Sequence, residues 1–578
     1  MKFLRNLLAS ILGGFIVIGI IVVIFFIATA ASTEPLKDNS VLKINLDTEV
    51  KDFGGKFNFD SFSKNKGLNE ILAAIVAAKT DSNIKGISLE NNFLMTGMAQ
   101  TEAIRNALED FKSSGKFIYA YGDIFQHKDY YLASVADSVF MNPSGDIDFR
   151  GLSSEVLYYK DFEEKTGIKM EVIRHGKYKS AVEPYLANAM SDANREQISE
   201  LLGSVWNSML TEIAKSRNVT VEELNAVADS LSANSPEDAV SSHLIDKLAY
   251  GDQYEKSLKK AVGIASDSDL NSVSIQEYTD GINRKIVEGS GKDVAVIYAQ
   301  GEIYYGEGSD DFIGQGMMLD ALKDAVDDDD VKSIVLRVNS PGGSALASDI
   351  IWRAVVEAKK KKPVVVSMGD LAASGGYFIS CGADKIYAEP TTITGSIGVF
   401  GTLPNIHELA QKWGINAEQV GTNKQSTGYS VFEPLSDNYR KETKKGIERT
   451  YKTFLTRVAE GRNMTVAAVD SIAQGRVWSG ADAINIGLVD ELGGLKDAIA
   501  EAAKLAGITD YGIKNYPEYD ESFSGMIRTL VGAKVQTAKD EAIQDEIGVE
   551  GYQFLKSLKA MSQQKGVQAR LPFQIAIQ

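Results

Sequence analysis

The sequence predicts an α/β protein made of two tandem copies of one fold, set behind a membrane-spanning N-terminus. Three observations carry that expectation. The stretch from Gly86 to Asp252 recurs in diverged form from about Ser333 to Leu492. Within each copy, short β-branched runs alternate with helical segments, the pattern of strands joined by crossover helices. Residues 7–31 form an almost purely apolar run. At 578 residues the chain is too long for one core, and the repeat divides it into units of ordinary domain size.

Taken in order, Lys2 and Arg5 precede the run Leu7 to Ala31, interrupted only by Ser10, Gly13, Gly14, Gly19 and Thr29. That length crosses a hydrocarbon core of about 30 Å and exceeds the ~7–15 apolar residues of a cleaved leader. Ala28-Thr29-Ala30 does resemble a cleavage site, so removal is the competing reading. Basic residues before the span, and mixed Glu34, Lys37 and Asp38 after it, predict a cytoplasmic N-terminus and an exported body. Residues 1–36 are thus read as anchor, 37–264 as the first copy and 265–292 as a polar linker. Residues 293–510 are the second copy and 511–578 a tail without an assigned role.

Val41 to Leu46 alternates as a strand does, and Val294 to Ile297 opens the second copy similarly. In the second copy a helix is expected over Met317 to Val326, a strand over Ser333 to Val338 and a helix over Ser344 to Lys360. A buried strand over Pro363 to Ser367, a helix over Ala373 to Gly382 and a strand over Lys385 to Ala388 follow. The matching first-copy strands are Gly86 to Leu89 and Phe117 to Ala120.

The net charge of 61 − 78 = −17 is dispersed, which disfavours a nucleic-acid partner. The single cysteine, Cys381, permits no internal disulfide and reads as a buried apolar residue. No metal or cofactor motif is present: Gly176-Lys177-Tyr178 lacks the flanking residues of a phosphate loop.

The copies differ where chemistry would sit. Met368 to Tyr377 aligns with Tyr121 to Tyr130 at an offset of 374 − 127 = 247, so Ser374 stands opposite His127. Ser374 before Gly375-Gly376 reads as a nucleophile at a strand–helix junction or, equally simply, as a helix N-cap. Pro341-Gly342-Gly343 follows a strand of the same copy and suits close backbone approach to a ligand; the first copy has Leu94-Met95-Thr96 there. Only four histidines exist (His127, His175, His243 and His407), and none lies in a motif beside an acid, which disfavours a Ser-His-Asp triad. Lysine can serve as base if burial lowers its pKa from about 10.4. Lys179, in Tyr178-Lys179-Ser180-Ala181-Val182, is the candidate, against the simpler reading of a surface lysine. Thr394 to Gly401 reads as a glycine turn or as a loop whose hydroxyl orients that base.

Lys179-Ser180-Ala181-Val182-Glu183-Pro184, Pro341-Gly342-Gly343, Ala373-Ser374-Gly375-Gly376-Tyr377 and Gly395-Ser396-Ile397-Gly398 together resemble the signal peptide peptidase A (protease IV) family, peptidase family S49, in its long tandem form. The resemblance implies two ClpP/crotonase-like domains and a Ser–Lys dyad with Ser374 as nucleophile and Lys179 as base. It implies Ser396 bonded to the lysine amine, and oxyanion donors from Gly342 or Gly343 with Gly375. It further implies no cofactor, a homotetramer, and cleavage of signal peptides and other apolar peptides on the periplasmic side of the inner membrane. Two other readings stay open: a non-catalytic, membrane-anchored assembly or chaperone-like module, motivated by the losses in the first copy, and acyl-CoA chemistry by analogy of fold.

Overall fold

The computed structural model describes residues 36–54, 67–283, 292–309, 311–517 and 568–570, with residue 13 alone from the N-terminus. The span expected at 7–31 therefore lies outside the described residues; among those described, no helix is long and apolar enough to cross a membrane.

The first copy is a parallel sheet in the order β6-β4-β3-β2-β1-β7. Its strands are β1 (Ser40–Ile44), β2 (Ile84–Glu90), β3 (Phe117–Phe125), β4 (Ser138–Ile147), β6 (Lys247–Leu248) and β7 (Ser272–Ser274). The second copy is mostly parallel, in the order β17-β15-β13-β11-β8-β19. Here β8 is Asp293–Gln300, β11 Val331–Ser340, β13 Val364–Ala373, β15 Ile393–Gly395, β17 Val477–Ser479 and β19 Gly512–Tyr516. Two further strands, β14 (Lys385–Ala388) and β18 (Glu491–Leu492), extend it beside β13. The central strands read as continuous apolar runs because helices cover both faces. Val364 and Val366 join Ile334 and Leu336 in one apolar cluster, while Val365 and Val335 point the other way, beneath the helix Leu495–Leu505.

The duplication is visible bond for bond. Tyr130 OH donates to Leu244 O and Tyr377 OH to Leu488 O, both at 2.9 Å. Arg217 forks onto Asp246 as Arg462 does onto Asp490. Two boundaries move. Ser272–Ser274, expected within the linker, is an edge strand paired with β1. Gly512–Tyr516, expected in the tail, pairs along β8. The helix expected from Ala373 spans only Gly375–Ser380, because β13 runs on to Ala373.

A third sheet joins the copies, in the order β10-β9-β12-β20-β16-β5. It comprises β5 (Lys169–His175) from the first copy and β9 (Glu302–Tyr304), β10 (Phe312–Gly314), β12 (Gly342–Ser344) and β16 (Val399–Asn405) from the second. Its sixth strand is β20 (Gln568–Arg570), near the C-terminus. Buried polar groups hold the same seam. Arg337 Nε donates to Asp52 Oδ2 at 3.0 Å, both side chains being 1% exposed, and Gln100 Nε2 donates to Asp52 Oδ1 at 2.9 Å. Glu102 accepts from Thr391 N–H and Oγ1–H at 3.1 and 2.5 Å.

Burial raises the Glu102 carboxyl to about 7, outweighing the bonds from Thr391. Burial, and then repulsion from Glu102, lifts Glu389 well above its usual range. A carboxyl raised on folding contributes stability that is complete below its unfolded value and is lost as pH rises to its folded one, here from about 4.5 to about 7. Glu102→Gln keeps an acceptor for Thr391 and removes the titration. Its melting temperature is expected to gain on that of the native chain as pH rises through this window. Scans at pH 5 and 7.5 giving the same difference would contradict this.

Candidate active site

Ser374 follows β13 in an unusual backbone conformation, φ 55° and ψ −111°, a strain of about 1–3 kcal/mol for a residue other than glycine. It is held there by Ser374 N–H donating to Gly395 O and Phe378 N–H donating to Ser374 O, each at 2.8 Å. The hydroxyl makes no capping bond to the six-residue helix that follows. The simple N-cap reading therefore does not describe it. Its Oγ lies 2.9 Å from Lys179 Nζ and 3.5 Å from Gly398 O.

Lys179 arrives from the other copy. β5 lies antiparallel along β16, from Lys169 opposite Asn405 to His175 opposite Val399. Gly176, at φ 106°, then turns the chain, and Tyr178 N–H donates to Gln474 O at 2.9 Å. Gln197, from the long helix Asp192–Arg217, holds Tyr178 O and Ser180 Oγ at 3.0 Å each. The lysine passes two glycines: a Cβ on Gly475 would lie 2.7 Å from Lys179 Cβ, and one on Gly398 would lie 3.1 Å from its Cδ.

Lys179, Ser374 and Ser396 are each 0% exposed. Burial alone pushes the Lys179 amine well below its ordinary value, with no carboxylate among the described residues to restore it. A neutral amine has two N–H donors and one lone pair. Ser396 O at 3.1 Å and Ser396 Oγ at 2.9 Å take the donors, which turns the lone pair toward the Ser374 hydroxyl. Ser396 is fixed at φ 48°, its N–H on Arg476 O at 2.7 Å and its Oγ–H 3.4 Å from Gly475 O. Such a pair can move the serine proton onto the amine.

Three of the four histidines are engaged elsewhere. His127 Nε2 accepts from Arg150 N–H at 3.1 Å, His175 packs on Tyr451 at 4.3 Å between ring centroids, and His407 Nδ1 lies 2.7 Å from Phe432 O. The glycine turn lies against the serine. A Cβ on Gly342 would come within 2.6 Å of Gly375 N, and one on Gly343 within 2.1 Å of Ile303 O, so neither position accepts a side chain. Gly342 N–H points to Ser340 Oγ at 3.2 Å. Gly375 opens its helix and so has an N–H without an intrahelical acceptor.

The family model described as peptidase family S49 matches twice, at residues 110–265 and 357–509, once in each copy. The chain belongs to peptidase family S49. A second family model, Clp protease, matches residues 287–394, so this S49 chain is an α/β protein with a ClpP-like domain. It is 37% identical over 487 residues to "Protease 4" of Salmonella typhi, covering 82% of this chain and 78% of that one. It is 32% identical over 567 residues to "Protease 4" of Haemophilus influenzae, covering 94% and 92%. With "Serine protease SPPA, chloroplastic" of Arabidopsis thaliana it shares 32% over 496 residues, covering 85% and 72%. The chain is accordingly a serine peptidase.

One S49 residue at the site escaped the sequence reading. Gly475 makes room for Lys179 at φ 85°. The frame of the repeat held a signal: at 475 − 231 = 244, the offset of Asp490 from Asp246, the first copy has Leu231 in the same left-handed turn, at φ 53°. A glycine stands only in the copy that receives the lysine. Gly475→Ala puts a methyl group against the Lys179 backbone and strains its own. We expect kcat to fall about a hundredfold, as for a misplacement of ~1 Å, with the fold retained by circular dichroism. Unchanged turnover would show that the lysine tolerates the shift.

Proposed function

We propose that this chain is a membrane-anchored serine endopeptidase working through a Ser374–Lys179 dyad on cleaved signal peptides and other apolar peptides after export. One observation carries the reading: a lysine amine and a serine hydroxyl from different copies, 2.9 Å apart and fully buried, with no carboxylate among the described residues to hold the amine charged. Ser374 Oγ attacks the peptide carbonyl while Lys179 Nζ takes its proton. Gly375 N–H, with a donor from the Gly342–Gly343 turn, faces the developing oxyanion. Lys179 then protonates the leaving amine, and water hydrolyses the acyl-enzyme. Ser396 orients the amine throughout. The apolar surroundings that keep the lysine neutral favour apolar substrates, and the names of the relatives agree with this reading.

Residues 7–31 would anchor the chain, with the body on the periplasmic side of the inner membrane. A homotetramer is supported by two exposed segments without regular structure. At the offset of 250 that relates Glu433 to Glu183, the second-copy counterpart of β5 is 419–425, which lies exposed beside Trp413, 79% exposed. At the offset of 247, the first-copy counterpart of β16 is 152–158, where Leu157 is 59% exposed. If these segments pair as strands between chains, they repeat the β5–β16 contact head to tail, as a ring requires.

The test uses the purified chain, an apolar peptide ester, a synthetic signal peptide and a fluorophosphonate. Hydrolysis of both substrates is expected, with the label on Ser374 and loss of labelling and hydrolysis in Ser374→Ala. A Ser374→Ala chain that still hydrolyses either substrate would overturn the proposal.

A further inference from the structure

The slot beside Ser374 is filled. β20 lies between β12 and β16, antiparallel to both, with Gly342 opposite Arg570, Gly343 opposite Ala569, Ser344 opposite Gln568, and Phe400 also opposite Gln568. The carbonyl oxygen of Ala569 comes within 2.2 Å of where a Cβ on Gly342 would be and within 3.1 Å of where one on Gly375 would be. Both glycines belong to the turns that face the nucleophile, so this carbonyl lies against the backbone that a substrate would have to approach. Ala569 is 0% exposed and Gln568 4% exposed, and the serine and lysine beneath are equally closed off. Nothing in Gln568-Ala569-Arg570 favours a strand by composition. The backbone of the slot imposes that form, as it would on any extended peptide.

We infer that the segment Gln568–Arg570 is a built-in substrate mimic, which holds the cleft as the middle strand between β12 and β16 and must leave before a peptide reaches Ser374. The inference rests on the proposed dyad and adds two things to it. Substrates bind as an antiparallel strand on Gly342–Ser344, with a small side chain on the residue whose carbonyl faces the glycines. The chain's own tail competes with them for that slot.

Competition of this kind raises the apparent KM in inverse proportion to the fraction of time the slot is open and leaves kcat alone: nine-tenths occupancy gives about tenfold. Two variants test it on the apolar peptide ester, one ending at Val567 and one full-length with Ala569→Asp, which places a charge where a buried methyl group now sits. Both are expected to lower KM at least about threefold with kcat unchanged. A decapeptide with the sequence of residues 565–574 should inhibit the shortened chain competitively, and its Ala569→Asp counterpart should not. Native KM in both variants, or equal inhibition by the two peptides, would overturn the inference. Those outcomes leave the dyad standing if Ser374→Ala is inactive; hydrolysis by Ser374→Ala would remove the dyad itself.

Discussion

Lys179→Met is expected to hydrolyse the apolar peptide ester no faster than Ser374→Ala, a loss of at least about 10⁴ in kcat. Methionine fills the channel past Gly398 and Gly475 but offers Ser374 no lone pair of comparable basicity. The same substitution reports on the charge state of the native lysine. In the unfolded chain that amine holds its proton up to about pH 10.5; in the folded chain burial releases it well below. A group depressed in this way contributes stability that is present above the unfolded value and is lost as pH falls through the folded one. Methionine carries no proton in either state. The variant should therefore gain stability relative to the native chain as pH falls from about 10, even though Ser396 O loses a donor. The native kcat/KM should rise with pH through the depressed pKa, favouring neutral to alkaline conditions. Thermal scans and rate profiles across pH 6 to 10 check both. A stability difference independent of pH would mean that the native lysine is charged in the fold.

Dividing the chain between its copies should abolish hydrolysis as completely. A fragment beginning near Gly291 retains Ser374, Ser396 and the glycine turn but lacks Lys179, and with it β5, the partner of β16. It also leaves Arg337 without Asp52 in a site where each side chain is 1% exposed; breaking a buried pair from one side costs about 3–5 kcal/mol. The fragment is thus expected to be both inactive and less stable than the same residues within the full chain. Mixing it with residues 37–283 should restore activity only as far as the seam re-forms, so recovery should depend on concentration. A fragment that cleaves the ester alone at the full-length rate would place the base among residues 292–517.

Much of the fold was legible because parallel strands covered on both faces are written as unbroken apolar runs, such as Val364-Val365-Val366. Ser374 and Lys179 were legible through comparison of the copies and the family resemblance, since neither stands out by composition. Local periodicity gave no sign that β5 crosses to the other copy: only Ile173 in that strand is buried, so no buried face shows in its pattern. Asp52 and Arg337 look like surface charges in sequence and meet only because folding closes a gap of 285 residues. The strand at Gln568–Arg570 was hidden for the opposite reason, being set by the slot that receives it.

The exchange of β5 into the neighbouring copy also bears on how many reaction centres the proposed assembly would have. In a closed ring of such chains, seams within chains alternate with seams between chains. The second kind would bring together the counterparts of Ser374 and Lys179, namely His127 in place of the serine and, at 179 + 250, Tyr429 in place of the lysine. His127 receives the Arg150 amide, and the Tyr429 hydroxyl donates to Pro404 O; neither is arranged to attack a carbonyl. Half the seams of such a ring would be chemically silent. Titration with a covalent reagent should therefore saturate at one equivalent per chain, not two, and working openings should stand twice as far apart around the ring as the folds themselves.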